Sequence, residues 1–118
     1  MQLMIIIIVL YSLSGCKRSE DCFYSYAYSG TVRDQSNNPL SGVTVKYEHG
    51  LADPAILTTT DINGTYSFLR QGYVALTGSK LAFVKTGFQN FISTPFTAAE
   101  VEQCNVTANI YRDALLNP

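Results

Sequence analysis

The chain has 118 residues, with 8 Lys or Arg against 9 Asp or Glu and a formal net charge of −1 at pH 7. That length suits one domain, and charge so sparse and balanced excludes the clustered basic surface that a nucleic-acid partner needs. Its 8 Tyr and 6 Phe, with many Thr and Val and no Trp, make a strand-forming composition.

The chain opens on an apolar run, residues 3–13, that includes Ile5, Ile6, Ile7 and Ile8. The run ends in Leu13-Ser14-Gly15-Cys16 and turns polar at once with Lys17, Arg18, Ser19, Glu20 and Asp21. It is too short for a hydrocarbon core, which takes roughly 20 apolar residues to cross. An apolar stretch closed by small residues reads as an export signal. Leu-Ser-Gly-Cys is similar to the lipobox of bacterial lipoproteins. The resemblance implies that residues 1–15 are a signal peptide, that Cys16 is acylated and becomes the new N-terminus, and that the chain is held by lipid at the cell envelope. The outer membrane, on its periplasmic face or at the cell surface, is the expected address. An ordinary secretory signal is the alternative. Residues 16–21 read as the tether. Their charges resemble the stretch that some Gram-negative lipoproteins carry for delivery to the surface, and equally suit a solvated linker.

From Cys22 onward, short alternating segments are separated by turn residues. Tyr24, Tyr26, Tyr28, Gly30 and Val32 share one face of a first strand. Residues 34–39, Asp-Gln-Ser-Asn-Asn-Pro, are a dense turn signal. In the second strand Val43, Val45 and Tyr47 face inward. Residues 49–54 are a loop, and residues 55–60 a Thr-rich strand. Asp61-Ile62-Asn63-Gly64 is a tight turn in which Asn-Gly supplies positive φ. Strands are expected over residues 65–69, 73–76, 81–86 and 89–93. Residues 95–102 form a loop or one helical turn. The last strand, residues 105–112, has Val106, Ala108 and Ile110 inward. About seven short strands with frequent turns predict an all-β sandwich. Period-2 alternation leaves one face of each sheet wet, which predicts mostly antiparallel pairing. The sandwich is assigned to residues 22–113, and residues 114–118 to a C-terminal tail.

Three stretches carry a family likeness: Ser29-Gly30-Thr31-Val32-Arg33-Asp34 followed by Pro39-Leu40-Ser41-Gly42-Val43-Thr44-Val45; Thr60-Asp61-Ile62-Asn63-Gly64-Thr65-Tyr66-Ser67-Phe68; and Lys85-Thr86-Gly87-Phe88. In this order and spacing they resemble the carboxypeptidase regulatory-like domains, over about residues 27–112. The resemblance implies a transthyretin-like sandwich, seven-stranded and antiparallel, in a supporting rather than catalytic role. Gly30 is expected where a side chain would crowd the opposite sheet. Asp61 is expected to accept hydrogen bonds from the amides of Asn63 and Gly64.

With Cys16 taken by lipid, Cys22 and Cys104 remain as an even pair in an oxidising compartment. They are expected to form a disulfide, two free thiols being the alternative. The resemblance puts the first and last strands in one sheet, which would bring the two together.

No catalytic, metal or cofactor site is expected. Two Cys and the single His do not make a zinc site. His49, alone in a loop, lacks the partner that a general base needs. The hydrolytic relatives of transthyretin use more than one His and a C-terminal Tyr-Arg-Gly-Ser, whereas here the chain reads Tyr111-Arg112-Asp113-Ala114. The ring-cleaving dioxygenases with a related sandwich hold iron with two Tyr and two His, a set this chain does not have. Asp53, Asp61 and Asn63 lack the further ligands and distant Glu of a calcium loop, so Asp61, Asn63 and Gly64 read as a structural turn. The sequons at Asn63 and Asn105 carry no meaning in a bacterium. Tyr24, Tyr26 and Tyr28 read as core packing, a sugar-stacking platform being the alternative. The expectation is a non-enzymatic, membrane-anchored module that binds or scaffolds an unknown protein partner, or a glycan.

Overall fold

In a computed structural model, residues 22–48 and 56–118 are described. The signal segment, Cys16 and the tether lie outside these residues, as do His49 and Asp53.

The fold is an all-β sandwich of two sheets. Its elements are β1 (Tyr24–Asp34), β2 (Thr44–Tyr47), β3 (Ile56–Thr59), β4 (Thr65–Gly72), β5 (Leu81–Val84), β6 (Phe91–Ile92), α1 (Ala98–Val101), β7 (Thr107–Tyr111) and β8 (Ala114–Leu116). One sheet has the order β4-β1-β7, with β8 also on β1; the other is β3-β2-β5-β6. The alternation read in β1 holds: Tyr26, Tyr28 and Val32 are buried and meet Val43, Val45, Tyr47 and Phe83 in one core. Burial of these side chains is the main stabilising force, each contributing about 1.5–3 kcal/mol.

Four expectations change. Residues 114–116 are not tail but the last of eight strands among the described residues, where about seven were expected. Ala114 and Leu116 are buried, at 6% and 0% exposure, and pair with Val32 and Asp34. The sheets are not wholly antiparallel, since β7 and β8 both run parallel to β1. The segment between β6 and β7, with α1 in it, carries the chain back to the starting end of β1, so β7 must run in β1's direction. Residues 73–76 are not a strand: β4 extends to Gly72, after which Tyr73 and Val74 are exposed. Val106, read as inward, is exposed because it lies just before β7 begins.

β7 and β8 are one strand with a two-residue interruption. The partner pairs Ser25 and Thr107, Ser29 and Tyr111, and Val32 and Ala114 keep the same offset throughout. At the interruption, the Thr31 amide donates to the Asp113 carboxylate at 2.8 Å and the Arg112 amide to the Ser29 carbonyl at 3.0 Å. The Arg112 carbonyl is pushed over Gly30, where a Cβ would meet its oxygen at 1.9 Å. Gly30 therefore makes room for the adjacent strand, not for the opposite sheet.

α1 is a single capped turn. The Glu100 amide donates to the Thr97 hydroxyl at 3.2 Å, and the Glu100 carboxylate accepts from the Thr97 amide at 2.9 Å, a reciprocal cap. The turn plugs Val101 into the core.

Candidate binding cleft at the disulfide-bonded end

Among the described residues, the sandwich opens at the end where β1 begins and β2 and β4 finish. There a cleft of about 320 Å³ lies between the sheets, its walls including Tyr26, Tyr47, Arg70, Tyr73, Val74 and Leu76. That volume is at the small end of the range for ligand sites.

Arg70 is the unusual member. It pairs in register with Tyr26, and directly opposed residues of antiparallel strands share a face. A guanidinium thus points between the sheets, 5.7 Å from the centre of the Tyr47 ring on the other sheet. Such a contact holds a cation over an aromatic face. Among the described residues no carboxylate pairs with it.

The tyrosines nearby are structural at their hydroxyl ends. The Tyr28 and Tyr47 hydroxyls share a hydrogen bond of 2.8 Å, and the Tyr26 hydroxyl donates to the Val101 carbonyl at 2.8 Å. Burial pushes all three phenols up from their ordinary range, so they stay protonated. Tyr26 and Tyr28 are 3% and 1% exposed, which makes them core and removes the stacking platform. The cleft can therefore offer a small ligand one positive charge and, beside it, the exposed Tyr73 ring.

The second cation on an aromatic face already has a carboxylate partner. Arg112 makes a forked pair with Glu100, two N–H···O bonds of 2.8 Å each. It also donates to the Pro95 and Tyr111 carbonyls and lies 5.4 Å from the Phe96 ring centre. This bidentate geometry is the strong form of ion pair and holds Glu100 at about 2. The cluster bolts α1 and the segment before it onto β7.

The predicted turn is built as a turn. The Asn63 and Thr65 amides donate to one Asp61 carboxylate oxygen at 2.9 and 3.0 Å, and the Thr65 hydroxyl to the other at 2.7 Å. Gly64 differs from expectation: its amide goes to the Asp61 backbone carbonyl at 2.9 Å. The Thr65 hydroxyl and amide, followed by the Asn63 amide, hold the Asp61 carboxyl below its usual range. Gly64 has φ +74, and a Cβ there would meet the Val32 carbonyl oxygen at 2.6 Å. Cys22 and Cys104 are joined, with Cα atoms 5.1 Å apart. Among the described residues no three His, Cys, Asp or Glu side chains gather as metal ligands would.

Arg70 was legible in outline. The alternation Tyr66, Phe68, Arg70 places it inward, but only if β4 runs beyond Leu69. The Arg112–Glu100 pair left one trace, the Thr97-x-x-Glu100 spacing of a helix cap.

No family model matches the chain, and no curated protein matches it in sequence. Its fold is similar to that of chlorocatechol 1,2-dioxygenase from Pseudomonas putida, with a TM-score of 0.59 and 11% identity over 87% of this chain and 63% of that one. It is also similar to 3-chlorocatechol 1,2-dioxygenase from Rhodococcus opacus 1CP, with a TM-score of 0.50 and 11% identity over 79% and 59%. The chain thus spans about six tenths of each of these proteins. The likeness is one of fold.

Proposed function

We propose that this chain is a non-enzymatic binding module of the bacterial cell envelope, anchored through lipid on Cys16 and taking its ligand in the cleft between the sheets. The observation that carries the reading is Arg70, an inward-facing cation over the Tyr47 ring with no carboxylate partner among the described residues. A charge in a half-enclosed site is costly unless something compensates it, and an anionic ligand group would do so. The resemblance of Leu13-Ser14-Gly15-Cys16 to a lipobox, and of the rest to carboxypeptidase regulatory-like accessory domains, supports the address and the supporting role. The first reading takes a protein partner, which would offer an acidic side chain to Arg70. A glycan-binding lipoprotein is the second reading. It is favoured by the Tyr73 ring, 70% exposed beside the cleft, because sugar faces stack on such rings.

Two experiments test this. Metabolic labelling with a clickable fatty acid should mark the wild type and not Cys16→Ala; label on the variant removes the anchor. Partners crosslinked to the lipidated protein in cells, together with glycan-array binding, should be lost with Arg70→Gln. Capture indifferent to Arg70→Gln removes the cleft, and glycan binding without a protein partner selects the second reading.

A further inference from the structure

The first described residue of the sandwich is Cys22, and the disulfide to Cys104 pins that end. Phe23 is joined across the ladder to Asn105: the Asn105 amide donates to the Phe23 carbonyl at 2.9 Å, and the Phe23 amide to the Asn105 side-chain oxygen at 3.0 Å. The Phe23 ring meets the Tyr73 ring edge-on, with centres 5.1 Å apart. Tyr73, Val74 and Val106 are 70%, 71% and 51% exposed. Phe23 and Val106 line one hollow on the outer face of the sheet, and Tyr73 and Val74 line the cleft on its inner side. Two aromatic rings and two valines therefore crown the end at which the chain leaves for Cys16. At the other end of β4, Ile62 is a single exposed apolar side chain between Asp61 and Asn63.

The few residues between Cys16 and Cys22 reach at most about 22 Å when fully extended. An acyl chain on Cys16 lies in the hydrocarbon, so this end of the sandwich is confined to the neighbourhood of the headgroups. Tyrosine, apolar in body and polar at its tip, is the side chain that suits that depth. Apolar side chains at an interface bind in proportion to the area they bury, and here the anchor supplies proximity without further cost.

We infer that the Phe23, Tyr73, Val74 and Val106 tip is a bilayer-seating surface. The sandwich stands on the membrane at its disulfide-bonded end, with the cleft opening at the headgroup level, instead of swinging free on a tether. The inference rests on the lipid-anchor reading of Cys16, and one arm of its test does not.

The chain has no Trp, so Tyr73→Trp and Ile62→Trp each introduce one reporter, at opposite ends of β4. In one arm the full lipidated chain is reconstituted in phosphatidylethanolamine–phosphatidylglycerol vesicles containing lipids brominated near the headgroup. In the other, residues 17–118 with an N-terminal hexahistidine are held on similar vesicles by a nickel-chelating lipid. In both arms the Tyr73→Trp reporter should shift to the blue and be quenched, and the Ile62→Trp reporter should do neither. Adding Val74→Glu should reverse the shift without changing the melting temperature. Equal quenching at the two positions on vesicle-bound protein overturns the seating. If the nickel-held protein shows the Tyr73→Trp quenching and the full chain does not associate with vesicles, the seating stands and the anchor falls.

Discussion

Cys22 and Cys104 stand opposite one another at the head of the parallel ladder. Their sequence separation of 82 is the same offset that separates Ser25 from Thr107 and Val32 from Ala114. The bridge therefore ties together two residues that the ladder itself would make neighbours. A cross-link closing so long a loop constrains the unfolded chain by about 4 kcal/mol on the chain-entropy account. Cys22→Ala with Cys104→Ala should lose most of that in denaturant unfolding. Intact-mass analysis of residues 17–118 after alkylation should show no labelled thiol without reductant and two with it. Two labelled thiols before reduction would refute the bridge.

Gly30→Ala should be among the most damaging single changes. Its Cβ would lie 1.9 Å from the Arg112 carbonyl oxygen and 2.9 Å from the Tyr66 ring. The Tyr66 hydroxyl donates to that same carbonyl at 2.6 Å, so neither neighbour is free to give way. A loss of about 3 kcal/mol is expected, measured by urea unfolding. Gly78→Ala makes a contrast, because nothing lies within 4 Å of that position and only its φ of +83 opposes the change.

The Glu100–Arg112 pair makes stability depend on acid pH. The Arg112 hydrogen bonds, aided by the Thr97 amide, hold the Glu100 carboxyl at about 2 against an ordinary 4.5. A pKa lowered by folding stabilises the protein above the unfolded value, and that contribution is lost as pH falls from about 4.5 to about 2. Glu100→Gln keeps an acceptor for the Thr97 amide but removes the charge and one of the two oxygens that accept from Arg112. It should cost about 1.5 kcal/mol at neutral pH, since partial exposure screens the pair. The difference in melting temperature from the wild type should close by pH 2. A difference that persists there would mean that the charge is not what matters.

The buried hydroxyl pair of Tyr28 and Tyr47 should behave as a unit. Tyr28→Phe leaves the Tyr47 hydroxyl without its partner 2.8 Å away and should cost about 1–2 kcal/mol. Removing both hydroxyls leaves no orphan, so the double variant should be less damaged than the two single losses added together. Additive losses in a double-mutant cycle would show that the bond contributes nothing.

The part legible from the chain alone was local. Alternation of Tyr26, Tyr28 and Val32 with small polar residues identified β1 and its core face, because side chains of a strand point to opposite sides whatever the strand pairs with. The Asp61-to-Gly64 turn was legible because its hydrogen bonds span only a few residues. Pairing direction was not: alternation reads the same in parallel and antiparallel strands once one face is wet. The cysteines held a hint of it, since two residues that each precede a strand can meet only if the strands start at the same end. The boundary at Asp113 failed for a related reason. Ala114 and Leu116 continue the period of β7, but the break at Arg112–Asp113 looks like an ending until the neighbouring Gly30 is seen to accommodate it. The cleft is the clearest product of the tertiary structure. Arg70 and Tyr47 lie on different sheets, and no spacing in the chain records that a guanidinium on β4 comes to rest over a ring on β2. Strand identity follows from neighbours in sequence, whereas register, direction and the meeting of the sheets are decided by which buried surfaces fit together.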